Sequence, residues 1–365
     1  MDAQLVQFIR QMPKVELHLH LEGSIRPHTL LDLARRHGVA LPVNDIDGLR
    51  RWYRFRDFPH FIEIYLAILD CLRDGADFAR ITRELGETAA AQQVCYVETT
   101  FTLAVHQRYK GIPYDEVWGG IREGARWVER RLGVRLRFAP DIPRNRRPGG
   151  DGEVEATMEW AVAHQHEGVV ALGLGGGEVN NPPELFVDVF RQAKVHGLRV
   201  WPHAGETVGP ASIWGAIEAL GADRIAHGVR AVEDPALLAY LAAHRIGCDV
   251  CPTSNVCLGV YPSVAQHPIR RLLAAGVPVT LNSDDPPLFH TTLTDEFLTL
   301  ARVQAFTAAE LATFVRTGVE VSFLPETEKA ALRARIDVEL ADAAHQAGVD
   351  LGRDGPDHLE PSTRQ

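Results

Sequence analysis

Lysine is almost missing from this chain. Of 38 basic residues only Lys14, Lys110, Lys194 and Lys329 are lysines. The skew to arginine fits a GC-rich genome and carries little chemistry. Net charge is −10 and no basic patch stands out, which argues against nucleic acid as a partner. No apolar run approaches the ~18 residues of a spanning helix, so no membrane segment is expected. The stretch MDAQLVQFIRQMPKVEL has acidic and polar residues where a secretory leader needs an apolar core, and a cytoplasmic location is expected. Cysteine is sparse and odd in number: Cys71, Cys95, Cys248, Cys251 and Cys257. Their scatter does not form a disulfide framework. Cys248 and Cys251 make a CxxC without a second pair to complete a zinc site, and free cysteine is ordinarily a core residue.

What is present is a rhythm. Eight short, β-branched runs recur: VELHLHL (15–21), VCYVETTF (94–101), VRLRFAPDI (134–142), VVALGLGG (169–176), LRVWPHAG (198–205), DRIAHGV (223–229), IGCDVCPTS (246–254) and VPVTLNSDD (277–285). Amphipathic stretches such as PPELFVDVFRQAKVHG separate them, several ending in the glycine that follows a helix. Alternating β and α elements imply a parallel sheet, and eight repeats imply a (β/α)8 TIM-type barrel. We expect one domain over 1–350 and a polar C-terminal tail over 351–365. The seventy residues between the first two strands are too many for a plain crossover. They predict extra helices inserted after strand 1, a lid over the mouth at about 40–75. PRNRRPGGDGE (143–153) reads as a flexible loop.

In a parallel barrel the chemistry sits at the C-terminal ends of the strands. The polar residues there are His18 and His20 on the first strand, His203 and then Glu206 on the fifth, His227 on the sixth, and Asp284 and Asp285 after the eighth. Alternate residues on a strand share a face, so His18 and His20 can grip one ion. Lone histidines elsewhere are read as ordinary hydrogen-bonded residues. Three imidazoles and a carboxylate suit Zn2+ better than magnesium or calcium. Zinc brings the pKa of bound water to about 7, and Glu206 is placed to act as an acid toward the substrate.

The pieces PKVELHLHLEGS, VVALGLGGGE, PHAGE, RIAHGV, CPTSN and LNSDDP, in this order over residues 13–287, resemble the adenosine deaminase family of the amidohydrolase superfamily. The resemblance implies one zinc per chain, held by His18, His20, His203 and Asp284. It implies that Glu206 protonates the purine N1 and that His227 orients the attacking hydroxide. Asp285 would meet N7, and the Gly176 N–H would meet N3. His20 and Glu22 would lie in the substrate subsite. The implied reaction is hydrolytic removal of the 6-amino group of adenosine or a close relative. Two positions depart from the common pattern. Glu22 stands where an aspartate usually meets the ribose 5′-hydroxyl, as in the adenine deaminase branch. Gly173 stands where the fourth strand usually carries an aspartate.

The implied partner is a small purine, with homo-oligomerisation left open. Adenine and aminodeoxyfutalosine, an adenosine-like nucleoside carrying a benzoate, are the alternative substrates. For the latter, Arg51, Arg54 or Arg56 in the lid would meet the carboxylate. In the lid, Trp52, Tyr53, Phe55, Phe58, Phe61 and Tyr65 supply rings to cover a base or to pack the core. Other readings fare worse. A binuclear amidohydrolase needs a lysine at the end of strand four, where ALGLGGGE has none. A cytidine-deaminase-like site needs PCxxC after HxE. GLGGGE fails the dinucleotide pattern because Glu178 occupies the third glycine position. A non-catalytic nucleoside binder would not need every catalytic position filled.

Overall fold

The computed structural model describes residues 1–352; the rest of the expected polar tail lies outside the described residues. Eight strands form one sheet in sequential order: β1 Lys14–His20, β2 Val94–Phe101, β3 Arg135–Pro143, β4 Ala171–Gly175, β5 Arg199–Ala204, β6 Arg224–His227, β7 Gly247–Val250 and β8 Val279–Leu281. Every ladder is parallel. The barrel closes where Leu19 bridges Asp284, with the His20 N–H donating to the Asp284 carbonyl and the Asp284 N–H to that of His18. The expected (β/α)8 architecture is therefore present.

The last two strands are shorter than their apolar runs suggest, and the cause is local. Pro252 is well placed at a helix start but not in a sheet interior, and it opens the helix Pro252–Cys257. Asp284 turns out of the strand at φ +65°. Both breaks fall where the barrel hands its chain to the site.

The N-terminal helix α1 (Ala3–Gln11) precedes β1. Between β1 and β2 lie α2 (Pro27–His37), α3 (Ile46–Trp52), α4 (Phe58–Leu69) and α5 (Gly75–Ala91). Asp45, Asp57 and Asp74 cap the last three, each side chain accepting from a backbone N–H of the first turn. α5 is the regular barrel helix, so α2–α4 are the insertion. Most of the core lies between strands and helices. Inside the barrel, Ala139, Ala171, Trp201 and Ala226 form a small separate cluster. Among the described residues no helix is long and apolar enough to cross a membrane.

Candidate active site

Four strands deliver the polar set to one rim. β1 brings His18 and His20, β5 His203, and β6 ends in His227. The turn after β5 brings Glu206, and the turn after β8 brings Asp284 and Asp285. All except His20 are buried. His227 and Asp284 both hold φ +65°, a left-handed conformation uncommon outside glycine and characteristic of functional sites. It turns each side chain off its strand and toward the barrel axis.

The donor atoms converge. Asp284 Oδ1 lies 3.4 Å from His18 Nε2 and 3.2 Å from His20 Nε2, and the Nε2 atoms of His20 and His203 are 3.2 Å apart. Donors around a tetrahedral zinc, each at 2.0–2.1 Å, stand about 3.3 Å from one another. The other ring nitrogens are committed. His18 Nδ1–H donates to the Asp249 carbonyl, His203 Nδ1–H to the Leu174 carbonyl, and His20 Nδ1 meets the Thr100 hydroxyl at 2.7 Å. The Nε2 atoms of His18 and His203 are thus directed inward as lone pairs, the arrangement found in metal-ligating histidines.

Against the effect of burial, the carboxylates of Asp285, Asp284 and Asp141 raise the pKa of His20 to about 10. Burial, reinforced by His18, lowers the pKa of His203 well below its ordinary value and that of His227 to about 3, so both are neutral. Burial raises Glu206 well above its ordinary carboxylate value, with Asp284 and Glu178 adding to it, which favours its protonated form. Burial also raises Asp285, and neighbouring Asp284, itself held ionised by His18 and His20, adds to it. A cavity of about 470 Å³ opens over these groups, within the range of small-molecule sites. Phe58, Phe61, Ile62, Tyr65, Leu66 and Leu69 of α4 form its apolar wall, and Gly175–Gly177 face them.

The sequence model of the adenosine deaminase family matches residues 13–339. The chain belongs to that family. It is 39% identical over 346 residues to an aminodeoxyfutalosine deaminase of Streptomyces avermitilis, covering 93% of this chain and 96% of that one. It is 37% identical to an adenine deaminase of Cupriavidus necator, covering 92% and 94%. Among solved structures, an amidohydrolase from Burkhoderia ambifaria with bound zinc superposes with a TM-score of 0.87 at 31% identity, covering 96% of each chain. Like its family, the chain is a metal-dependent hydrolase that removes an amino group from a purine by attack on a C–N bond.

Against that identity, the sequence-derived residues fall into two groups. His20, Gly176, His203, Glu206, His227, Asp284 and Asp285 line the cavity, and His18 sits directly beneath. Glu22 does not line it. It is wholly buried, with Oε1 accepting from the Thr102 N–H and from His106 Nε2 and with Oε2 unpartnered. Within the lid, Phe58, Phe61 and Tyr65 line the cavity, whereas Trp52, Tyr53 and Phe55 do not; Phe55 packs on Phe61 and Phe289. Arg51, Arg54 and Arg56 are exposed and lie off the cavity. The arginines that reach it are Arg144 and Arg146, from the segment 143–153. That segment is anchored where Arg144, fully buried, donates to the carbonyls of Asn181 and His203. Cys248 and Cys251 are free, buried thiols. Cys251 lies near His18, but burial raises its pKa well above the thiol range, which disfavours the thiolate a metal needs.

Several supporting residues escaped sequence reasoning. Glu178 accepts from the backbone N–H groups of Gly205, Glu206 and Thr207 and from the Ser212 hydroxyl. It thereby holds the turn that carries Glu206. Ser254 donates to Asp284 Oδ2, and the Asn255 amide donates to His227 Nδ1. That bond leaves the His227 proton on Nε2, 3.5 Å from Glu206. The signals were in hand: Glu178 ends GLGGGE, and Ser254 and Asn255 end CPTSN.

Proposed function

We propose that this enzyme uses one zinc ion, held by His18, His20, His203 and Asp284, to deaminate a 6-aminopurine nucleoside in the cytoplasm. The observation that carries this reading is that Asp284 Oδ1 lies within 3.4 Å of the Nε2 atoms of His18 and His20, and His20 Nε2 lies 3.2 Å from that of His203, beside a buried Glu206. Bound zinc supplies a hydroxide at neutral pH by lowering the pKa of water to about 7. The protein does the rest. An aromatic amine leaves only when the ring can accept electrons, so Glu206 gives its proton to N1 as attack occurs at C6. His227 faces the same spot through Nε2 and orients the attacking oxygen. Asp285, kept protonated by burial and by Asp284, donates to N7, whose lone pair accepts. Oδ1 of Asp285 is buried without a partner, as a group awaiting a ligand would be. The Gly176 N–H donates to N3.

The cavity favours a nucleoside with a long substituent over a free base. An adenine seated on these residues would leave the space along α4 and out to Tyr109 and Arg146 unfilled. Arg146 bridges the Tyr109 hydroxyl and Glu153 at the rim. Its guanidinium is suited to a carboxylate at the far end of the substrate. Aminodeoxyfutalosine has that shape, and the Streptomyces avermitilis relative carries its name. Glu22 serves the sugar region indirectly, by holding the N–H of Thr102, a cavity-lining residue. The test is a spectrophotometric panel of adenosine, deoxyadenosine, adenine, methylthioadenosine and aminodeoxyfutalosine, ranked by kcat/KM, with elemental analysis of the protein. Aminodeoxyfutalosine should lead adenine by at least about a hundredfold, the scale expected when a buried recognition group is left unmatched. Adenine as the best substrate would overturn the substrate reading, and a protein active without zinc would overturn the metal reading.

A further inference from the structure

His267 is a buried histidine that the reaction as described does not use. It lies in the turn before the helix Ile269–Ala274, where Pro268 favours the extended backbone it adopts, φ −67° and ψ 133°. Gln304 donates to its carbonyl, and the Tyr261 ring stands edgewise to its imidazole, 5.2 Å between centroids. Its Nε2 lies 3.1 Å from Asn255 Oδ1, and Asn255 Nδ2 lies 3.4 Å from His227 Nδ1. All three residues are buried. The other ring nitrogen of His267, Nδ1, is buried and has no hydrogen-bond partner.

The amide couples the two rings. Its oxygen can only accept and its nitrogen can only donate, so one imidazole must offer it an N–H and the other a lone pair. The unpartnered Nδ1 of His267 decides which. A buried N–H without an acceptor is a rarer defect than an unfilled acceptor, so the His267 proton belongs on Nε2, donated to Asn255 Oδ1. The amide NH2 then faces His227, whose Nδ1 is the lone pair and whose proton is on Nε2. That nitrogen stands 3.5 Å from Glu206 Oε1, on the wall of the cavity. With the amide turned about, it would take Nδ1–H from His227, leave His227 Nε2 bare and strand an N–H on His267. Burial lowers both imidazoles to a pKa of about 3, so neither ring escapes the choice by taking a second proton.

We propose that His267 is a positioning residue that acts through Asn255 to keep the His227 proton on Nε2, the nitrogen with which His227 addresses the attacking oxygen. The proposal rests on the deaminase reading above. Two measurements test it on the full chain, in the parent and in H267L, H267Q and N255L. One is kcat and KM on the fastest substrate of the panel. The other is the nitrogen-15 spectrum of histidine-labelled protein, with H227Q assigning His227, because protonated and bare ring nitrogens resonate far apart. The parent should show His227 protonated at Nε2 and bare at Nδ1. H267L frees the amide to turn and N255L removes it, so in both the two tautomers should mix. In both, kcat should fall at least about tenfold, part of the ~10⁴-fold that a wrong histidine tautomer costs, with KM little changed. H267Q can donate from the same place and should restore the parental tautomer and most of kcat. A parent with His227 protonated at Nδ1 overturns the proposal, as does a tautomer unmoved in H267L and N255L. Equal losses in H267L and H267Q without a change of tautomer would make His267 a packing residue only, which also overturns it. If H267L does not fold, N255L and H267Q decide. A parent inactive on the whole panel refutes the functional reading, while the nitrogen resonances still report on the relay.

Discussion

Replacing Glu178 by glutamine changes one atom and should disable the turn that carries Glu206. The carboxylate collects six donated hydrogen bonds. Oε1 accepts from the N–H groups of Glu206 (2.9 Å), Thr207 (2.8 Å) and Val208 (3.4 Å) and from the Thr207 hydroxyl (3.3 Å); Oε2 accepts from the Gly205 N–H (2.9 Å) and from Ser212. An amide must put its NH2 against one of these groups. Facing the Oε1 set it would oppose three backbone N–H groups. Facing the Oε2 set it opposes one, since the Ser212 hydroxyl can rotate and accept. In that cheaper orientation the Gly205 N–H is left buried and unpaired, at about 1–3 kcal/mol. The bonds that survive lose their charge assistance, roughly another 1–2 kcal/mol together. The sum is ~3 kcal/mol of stability, measurable as a shifted urea midpoint in protein of equal metal content. Turnover should fall by about a hundredfold, the usual result of displacing a catalytic group by an ångström, with zinc content unchanged because no ligand is touched. An E178Q enzyme with parental kcat and an unmoved urea midpoint would refute this account of how Glu206 is positioned.

E206Q should retain zinc and lose two or more orders of magnitude in kcat, about what a general acid contributes; near-parental turnover would remove Glu206 from its role. Gly23 lies under Asp285, and a Cβ there would stand 1.5 Å from Asp285 Oδ1. G23A should therefore displace Asp285 and raise KM and lower kcat together, while an unchanged kcat/KM would show that Asp285 does not meet the substrate. Lys14 is fully buried, with Nζ donating to the carbonyls of Met12 and Gln92, and burial lowers its pKa to about 7. Between that value and the unfolded pKa near 10.4 the unfolded chain binds the extra proton. Stability from this group is therefore gained as pH rises through that window and lost as pH falls toward 7. The stability of the parent relative to K14M should grow from pH 7 to pH 10 by up to about 1.4 kcal/mol per unit; a constant difference would mean that Lys14 stays charged.

The groups legible in the sequence are those that strand periodicity alone brings together. His18 and His20 share a face because they are two apart, and His203, His227 and Asp284 end apolar runs that are strands. The groups that escaped need register or a turn. Thr100 and Asp141 lie on different strands, and only the β1–β2–β3 pairing sets both beside His20. Glu178 was visible as the residue that spoils a glycine motif, but its task depends on the path of the turn after β5. The arginines mislead for the same reason. Arg51, Arg54 and Arg56 stand among aromatic residues in the chain yet point to solvent. Arg144 and Arg146 lie in a segment that composition marks as a loose loop, yet it is pinned under the cavity by hydrogen bonds to carbonyls that no local pattern reveals.

The floor of the barrel shows why the metal site and the fold cannot be separated. Arg224 of β6 is wholly buried between Glu98 and Asp249, with Nη2 and Nε each 2.6 Å from a carboxylate oxygen. Trp201 and Phe323 cover the guanidinium. An ion group so placed gives little net stability, since desolvation cancels most of the attraction, but removing one member strands the others at a cost of about 3–5 kcal/mol. What it does is fix β7 against β6 and β2 at one height. The Asp249 carbonyl is the acceptor for His18 Nδ1–H, the Leu174 carbonyl of β4 is that for His203, and the Asn282 side chain accepts from the backbone N–H groups of Leu17 and His18 where the barrel closes. Two of the three imidazoles thus take their tautomers from main-chain carbonyls, whose positions are the barrel's own register. A shift of one strand would misplace an acceptor before it opened the core, so metal affinity should respond to strain in this floor sooner than global stability does.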